Sequence, residues 1–144
     1  QSEPGQLVKL MSGLTCEAGM TQIEKLLRHA IRQNQEQRVR GVIFIGDAME
    51  ENPDILCGLA GDLGILNVPL FIFQEHNDAF VRQTFTTMAK LSGGAYCQFD
   101  DASVDQLKDL LRAVAIYATG GLQALQDFSK SAHPSVKLLG NQLS

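Results

Sequence analysis

Residues 39–51, VRGVIFIGDAMEE, decide the fold that this chain can adopt. The uninterrupted apolar run Val42–Ile45 predicts a strand that is buried on both faces of a parallel sheet. A glycine and Asp47 follow at once, so the strand is expected to end there in a loop. Because ligands of open parallel sheets bind outside the carboxyl ends of the strands, Asp47, Glu50 and Glu51 stand where a ligand is expected. Carboxylates so close together in the sequence favour a cation as that ligand.

Two further segments have the character of buried strands. The sequence therefore predicts three strands, at about 42–46, 68–73 and 95–99. Apolar residues recur at helical spacing between these strands, before the first of them and again over 107–117. This alternation predicts an α/β fold, with a doubly wound, mostly parallel, Rossmann-like sheet that has helices on both faces.

The two ends of the chain carry weaker patterns. Residues 6–14 have apolar side chains at helical spacing and predict a short amphipathic helix, and residues 15–20 are interpreted as a loop. A last short helix is expected over 122–128. The domain is therefore expected to span residues 1–130. Residues 131–144 are predicted to be a tail that docks in an extended conformation through three apolar side chains, Val136, Leu138 and Leu139.

Composition excludes several classes of function. The chain has 144 residues, the size of one domain, and its net charge of −4 and pI near 5.3 argue against nucleic acid as a partner. No apolar run is long enough to cross a membrane, and residues 1–4 do not resemble a signal peptide. The cysteines are odd in number and far apart, which favours buried thiols in a reducing compartment, at Cys16, Cys57 and Cys97. We therefore expect a soluble, cytoplasmic protein.

A series of motifs resembles the later part of a von Willebrand factor A (VWA) domain, and looks most similar to bacterial cytosolic members of that family. The motifs are a G-x-T loop before a helix, an apolar strand followed by Asp, a V-P-apolar strand and an L-S-G-G-x-Y segment, at residues 18–21, 42–47, 66–73 and 91–100. The family's sheet has six strands, and its first strand carries a D-x-S/T-x-S loop that does not occur in this sequence. The resemblance therefore implies an incomplete VWA-type domain without its N-terminal strands.

The resemblance also implies a metal-ion-dependent adhesion site. In that family, hydroxyl and carboxylate groups from three loops hold a divalent cation, and a carboxylate of a partner protein completes the coordination. Thr21 matches the threonine of the second loop, Asp47 matches the aspartate of the third loop, and Glu50 is a candidate for an additional ligand. Such oxygen ligands suit Mg²⁺ or Mn²⁺, and also Ca²⁺. The implied function is a protein–protein interaction module.

Each candidate ligand also has a purely structural explanation. Thr21 and Glu24 match the capping box that opens a helix, and Asp47 fits a turn after a strand. A second hypothesis is therefore an interaction scaffold that binds its partner without metal. A third, a hydrolase or nucleotide-using enzyme, is disfavoured because the sequence has no G-x-G-x-x-G, G-x-x-x-x-G-K-[ST] or G-x-S-x-G motif. We expect no catalytic residues and no organic cofactor.

The incomplete sheet has a consequence for assembly. Without upstream strands, the strand Val42–Ile45 would be unpaired on one side, and free N–H and C=O groups at a sheet edge recruit other chains. We therefore expect self-association of the chain through this edge.

Overall fold

The computed structural model of the chain describes residues 7–10, 14–18, 23–46, 52–75, 78–99 and 104–143. These described residues form a five-stranded sheet and five helices. The strands are β1 (Leu7–Leu10), β2 (Leu14–Ala18), β3 (Gly41–Gly46), β4 (Leu70–Gln74) and β5 (Ala95–Gln98). The helices are α1 (Ile23–Glu36), α2 (Pro53–Ile65), α3 (Ala79–Ser92), α4 (Val104–Ser129) and α5 (Ser135–Leu143).

The strands follow one another across the sheet in their order along the chain, β1-β2-β3-β4-β5. β1 pairs with β2 in antiparallel orientation, and the pairs β2–β3, β3–β4 and β4–β5 are parallel. Strands β3, β4 and β5 coincide with the three strands predicted from the sequence, and helices alternate with them. The predicted α/β, Rossmann-like fold class is confirmed.

The prediction for the segment upstream of α1 was wrong. Residues 6–14 were expected to include a short helix and 15–20 a loop, but the described residues of this segment, Leu7–Leu10 and Leu14–Ala18, form the two strands β1 and β2. A few leucines at helical spacing over so short a segment are a weak signal, and pairing with a neighbouring strand overrides it. β2 pairs along β3 from Leu14 opposite Gly41 to Ala18 opposite Ile45. The strand Val42–Ile45 therefore has a neighbour on both sides and is not the free edge that the sequence suggested.

Different helices cover the two faces of the sheet. Consecutive right-handed crossovers between adjacent strands put their helices on one side, so α1, α2 and α3 share a face. Their core, which includes Phe44, Ile72 and Phe85, is separate from the core under α4 and α5, which includes Phe71, Phe73 and Val114. The sheet is thus sandwiched between two helical layers, as predicted.

Local chemistry sets the ends of the helices. The side chain of Asn52 caps α2, because its Oδ1 accepts a hydrogen bond from the N–H of Asp54 at 2.8 Å, and a proline follows at the start of the helix. α3 ends at Gly93, whose φ of 80° lies in the left-handed region. α4 bends at Gly121, where φ is 79° and ψ is −172°. The short helix predicted over 122–128 is confirmed as the part of α4 beyond this bend.

No helix among the described residues has both the length and the apolar content needed to cross a membrane.

The C-terminal segment forms helix α5 and not the extended segment that was predicted. Val136 and Leu139 are buried in the core under α4 and α5, whereas Leu138 is exposed. Apolar residues three apart lie on one face of a helix, which explains why Val136 and Leu139 pack together while Leu138 does not. Docking through Val136 and Leu139 is confirmed, the predicted extended conformation is wrong, and the domain boundary near residue 130 stays a prediction.

Side chains close the outer edge of β5. The Oε1 atom of Gln142, on α5, accepts a hydrogen bond from the N–H of Tyr96 at 2.8 Å, and its Nε2 donates to the carbonyl of Tyr96 at 2.7 Å. Gln106, on α4, donates to the carbonyl of Gln98 at 3.4 Å. These two glutamines take positions that an added strand would use, so they protect this edge against pairing with another chain.

Candidate functional site at the carboxyl edge of the sheet

The predicted metal ligands Thr21, Asp47 and Glu50 lie outside the described residues. The strands that precede two of them are described, since β2 ends three residues before Thr21 and β3 ends immediately before Asp47. β2 and β3 are adjacent and parallel, with Ala18 opposite Ile45. Parallel neighbours end at the same edge of a sheet, so the chain leaves these two strands side by side.

Strands β3, β4 and β5 also end next to one another at this carboxyl edge. Gly46 lies opposite Gln74, and Gln74 lies opposite Gln98. The N–H of Glu75 donates to the carbonyl of Gly46 at 3.1 Å, and the N–H of Phe99 donates to the carbonyl of Gln74 at 3.0 Å. These hydrogen bonds extend the ordered backbone one residue beyond β4 and β5. They therefore also fix the Cα positions from which the side chains at this edge project.

The chain leaves β4 and β5 toward opposite faces of the sheet. β4 leads into α3, whose Phe85 packs edge-on against Phe44 with ring centroids 5.7 Å apart. β5 leads into α4, whose Leu110 and Val114 are buried on the other face. Where the connections of adjacent parallel strands diverge in this way, a crevice forms outside their carboxyl ends, and α/β proteins bind ligands there. The junction of β4 and β5 is therefore a candidate binding position.

Gln74 is the buried polar side chain at this junction. The residue is 0% exposed, and its Oε1 accepts a hydrogen bond from the hydroxyl of Tyr96 at 2.6 Å. Its Nε2 is the one buried side-chain atom among the described residues that has no hydrogen-bond partner. Leaving a buried donor unsatisfied costs about 1–3 kcal/mol, and most buried polar groups are paired. A bound acceptor at this position would supply the missing hydrogen bond.

Sequence reasoning missed Gln74, because a glutamine after an apolar run looks like the first residue of a loop. Side chains alternate between the faces of a strand, so residue 74 shares a face with Leu70 and Ile72. Both of these residues are in the core under α1–α3. Extending the alternation by one step beyond Phe73 would have placed Gln74 in that core and marked it as a buried polar residue.

Tyr96 connects the buried amide of Gln74 to the surface, since it is only half-buried. Burial raises the pKa of its hydroxyl, the positive charge of Arg82 lowers that pKa, and the thiolate form of Cys97 raises it. The hydroxyl is therefore protonated at neutral pH and can donate to Gln74. Arg82 is an exposed cation of α3, the helix whose Val81 and Phe85 pack in the same core as Tyr96.

The described thiols behave as structural side chains. Burial raises the pKa of Cys97 to about 12, so this buried thiol is neutral and packs as a small apolar group. Cys57 is half-buried, and its pKa is raised by burial and then by the charge of Asp54. The prediction of a buried thiol is confirmed for Cys97 and holds in part for Cys57, while the side chain of Cys16 lies outside what the structure describes.

Two neighbouring cavities open at the opposite, amino edge of the sheet, with volumes of about 350 and 360 Å³. Both are lined by Asn67, Pro69 and Tyr117. Arg38 and Arg40 line the first, and Lys90 lines the second. The Nη1 of Arg40 donates to a backbone carbonyl of α4 at 3.1 Å, so this cation already contributes to the packing of α4. All three cations are exposed to solvent, and the cavities contain no buried unpaired polar group among the described residues.

No group of three or more His, Cys, Asp or Glu side chains capable of holding a metal occurs among the residues that the structure describes. Thr21, Asp47 and Glu50 are not among those residues. Comparisons of the chain with family models, with curated proteins and with solved structures find no significant match. Its function therefore has to be argued from its own residues and geometry.

Proposed function

We propose that this chain is a VWA-like protein-binding module whose carboxyl edge holds a divalent cation. Thr21 and Asp47 are the proposed ligands, with Glu50 as an additional one, and an acidic side chain of a partner protein completes the coordination. Mg²⁺ or Mn²⁺ is the expected ion, with Ca²⁺ as the alternative, because all of the proposed ligands are oxygen atoms. The proposal assigns no catalytic residue and places the protein in the bacterial cytoplasm.

The observation that carries this proposal is the register between β2 and β3. Ala18 lies opposite Ile45, so the strands that lead to Thr21 and Asp47 end together at one edge. Parallel strands that end next to each other bring the loops that follow them within reach of one ligand. The free thiols of Cys57 and Cys97 are consistent with a reducing compartment.

A metal-independent scaffold is the second candidate, and exposed apolar side chains on α2 and α3 favour it. Ile65 is 80% exposed and Leu91 is 47% exposed. Helices α2 and α3 approach each other closely between these two side chains. The carbonyl oxygen of Leu91 fills the space that a Cβ on Gly64 would need, so the two backbones are in contact there. Ile65 and Leu91 therefore flank one helix contact and offer an apolar surface that does not depend on metal.

Thermal unfolding with chelator, Mg²⁺ and Mn²⁺ tests the proposed cation site. An ion that binds only the folded chain raises its stability by about 2.7 kcal/mol at a concentration one hundred times the dissociation constant. We expect a saturable rise in melting temperature with Mg²⁺ or Mn²⁺, and loss of that rise in Asp47→Ala. Asp62→Ala is the matched control, because Asp62 is an exposed aspartate near the other end of α2.

The outcomes separate the two candidate functions. A metal-dependent rise that survives Asp47→Ala would place the ion elsewhere and remove the proposed ligand set. No rise with either ion would favour the metal-independent scaffold. In that case Ile65→Ser combined with Leu91→Ser becomes the informative variant, since it removes the exposed apolar surface without touching the carboxyl edge.

A further inference from the structure

The unpaired Nε2 of Gln74 calls for a hydrogen-bond acceptor. The amide is held in one orientation because its other end accepts from the hydroxyl of Tyr96 at 2.6 Å. The remaining N–H groups have no acceptor among the described residues. A donor that is fixed in direction, shielded from water and unsatisfied is suited to bind an acceptor group of a ligand.

The position of Gln74 in the sheet also points to a binding function. It ends β4 at the junction where the connections to α3 and α4 diverge to opposite faces of the sheet. In open α/β sheets this kind of junction is where the carboxyl ends of strands face a ligand. The amide and the crevice are independent observations, one of hydrogen bonding and one of topology, and they coincide at the same residue.

Charge indicates which acceptor fits. Arg82 is an exposed cation of α3, the helix that packs over the face of the sheet that carries Tyr96, and among the described residues it forms no ion pair. An amide N–H at the end of β4 and a guanidinium on the helix that covers the same face suit a planar group with two oxygen acceptors and one negative charge, which is a carboxylate.

We infer that the junction of β4 and β5 is a carboxylate-binding subsite, in which the Gln74 amide donates to an acidic side chain of the partner protein and Arg82 neutralises it. This inference rests on the proposed role of the carboxyl edge in binding a partner. It is separate from the proposed cation, because none of the metal ligands takes part in it. The subsite would recognise an acidic residue of the partner other than the one that completes the metal coordination. It would therefore bind the partner even in the absence of metal.

Side-chain amide NMR of the full chain, with chelator present throughout, tests the subsite without relying on the metal. The probes are acetate and the peptide Gly-Glu-Gly-Glu-Gly with blocked ends, each titrated against chloride at constant ionic strength. We expect the Gln74 amide protons to move downfield and to saturate, as they do on hydrogen bonding to a carboxylate. Arg82→Gln should weaken this binding about tenfold, whereas Arg112→Gln, which removes an exposed cation of α4, should leave it unchanged.

Each outcome decides the matter. Saturation by the peptide at a carboxylate concentration at least about tenfold below that of acetate supports an acidic side chain of a protein as the natural ligand. Binding of acetate that is as tight as that of the peptide, or weaker by less than about tenfold per carboxylate, would assign the subsite to a small free acid and overturn the inference. An amide that responds to neither probe, or equally to chloride, and contacts only a bound water would overturn it as well. These readings use the wild-type chain, so they hold even if a Gln74 variant fails to fold.

The two proposals can fail independently. A carboxylate-dependent shift in chelator combined with no metal effect on melting would leave the subsite in place and remove the cation. A metal effect that depends on Asp47 combined with a silent Gln74 amide would do the reverse.

Discussion

Strand β4 has a buried polar side chain at each end, Ser92 beside its start and Gln74 at its finish, and the fold satisfies only one of them. The hydroxyl of Ser92 accepts from the N–H of Leu70 at 3.0 Å and donates to the carbonyl of Ala89 at 3.0 Å. The amide of Gln74 makes a single hydrogen bond, and its Nε2 has no partner among the described residues. Natural proteins leave a buried polar group without a hydrogen bond mainly at sites where function requires it. The difference fits a stabilising role for the amino end of β4 and the proposed binding role for its carboxyl end.

Gly94→Ala should be the strongest way to disturb the amino end. A Cβ at this position would overlap the backbone nitrogen, carbon and oxygen of Leu70, which cannot rotate away. We expect a loss of about 3 kcal/mol or more in the free energy of unfolding, measured by denaturant titration. Gly58→Ala is the control, because nothing lies within 4 Å of a Cβ there and the substitution should stabilise α2 by about 0.5–1 kcal/mol.

Equal stability of the two variants would show that the backbone contact at the amino end is not tight. The comparison between the ends of β4 would then lose its structural basis.

The stability of the chain at alkaline pH tests the core on the other face of the sheet, which contains Cys97, the neighbour of Tyr96 in β5. Burial raises the pKa of this thiol to about 12 in the folded chain, above its usual 9.0, so the unfolded state releases its proton first as pH rises. Stability is therefore unaffected below about pH 8 and falls between about pH 9 and 12, by about 2 kcal/mol at pH 10.5. Cys97→Ala should remove this pH dependence, measured as the difference between wild type and variant in denaturant titrations at pH 8 and 10.5.

A Cys97→Ala chain whose stability falls just as steeply above pH 9 would assign the alkaline loss to tyrosines and lysines. The thiol would then be less buried than the structure indicates.

Polar deletions at the two ends of β4 should have opposite effects. Ser92→Ala leaves the buried N–H of Leu70 without an acceptor and should cost about 1–3 kcal/mol. Replacing Gln74 by Met together with Tyr96 by Phe removes both members of the carboxyl-end pair and should be neutral or stabilising by up to about 1 kcal/mol. Denaturant titration measures both. A double variant that loses as much stability as Ser92→Ala would mean that the Gln74 amide serves the fold, and the contrast between the ends would disappear.

Gln142→Ala tests the smallest effect, at the solvent-exposed edge of β5. The variant loses two hydrogen bonds to the backbone of Tyr96, which should cost about 0.5–1.5 kcal/mol. It also uncovers one ladder position, so we expect more self-association in sedimentation velocity than for the wild type. Gln126→Ala, at an exposed position of α4, is the control. Unchanged sedimentation would show that the remaining contacts of α5 are enough to close this edge.

The parts of the fold that were predicted from sequence are those where one local signal dominates. The apolar run Val42–Ile45 leaves few alternatives to a buried strand, and Asn52 followed by a proline specifies a helix start by its own hydrogen bonding. Gly93 likewise ends α3 because glycine adopts positive φ without strain. In each case the local chemistry and the tertiary structure agree.

The errors arose where pairing or packing decides between two local possibilities. The leucines of residues 7–14 fit a helix and a hairpin about equally, and only the neighbouring β3 selects the strands. The spacing of Val136, Leu139 and Leu143 does carry a helical signal, which could have identified α5. For the candidate site, Thr21, Asp47 and Glu50 stay predictions, and Gln74 was missed because its importance depends on burial and on an absent hydrogen bond.

The strand order β1-β2-β3-β4-β5 has a consequence for how the chain is made. Each of the strands β2 to β5 pairs with the described strand synthesised just before it, so the nascent chain can extend the sheet at a single growing edge as it leaves the ribosome. Among the described strands, each partner is the neighbour in sequence, which keeps the loops that close during assembly short. Helix α5 is synthesised after all five strands, and its Gln142 then covers the free edge of β5.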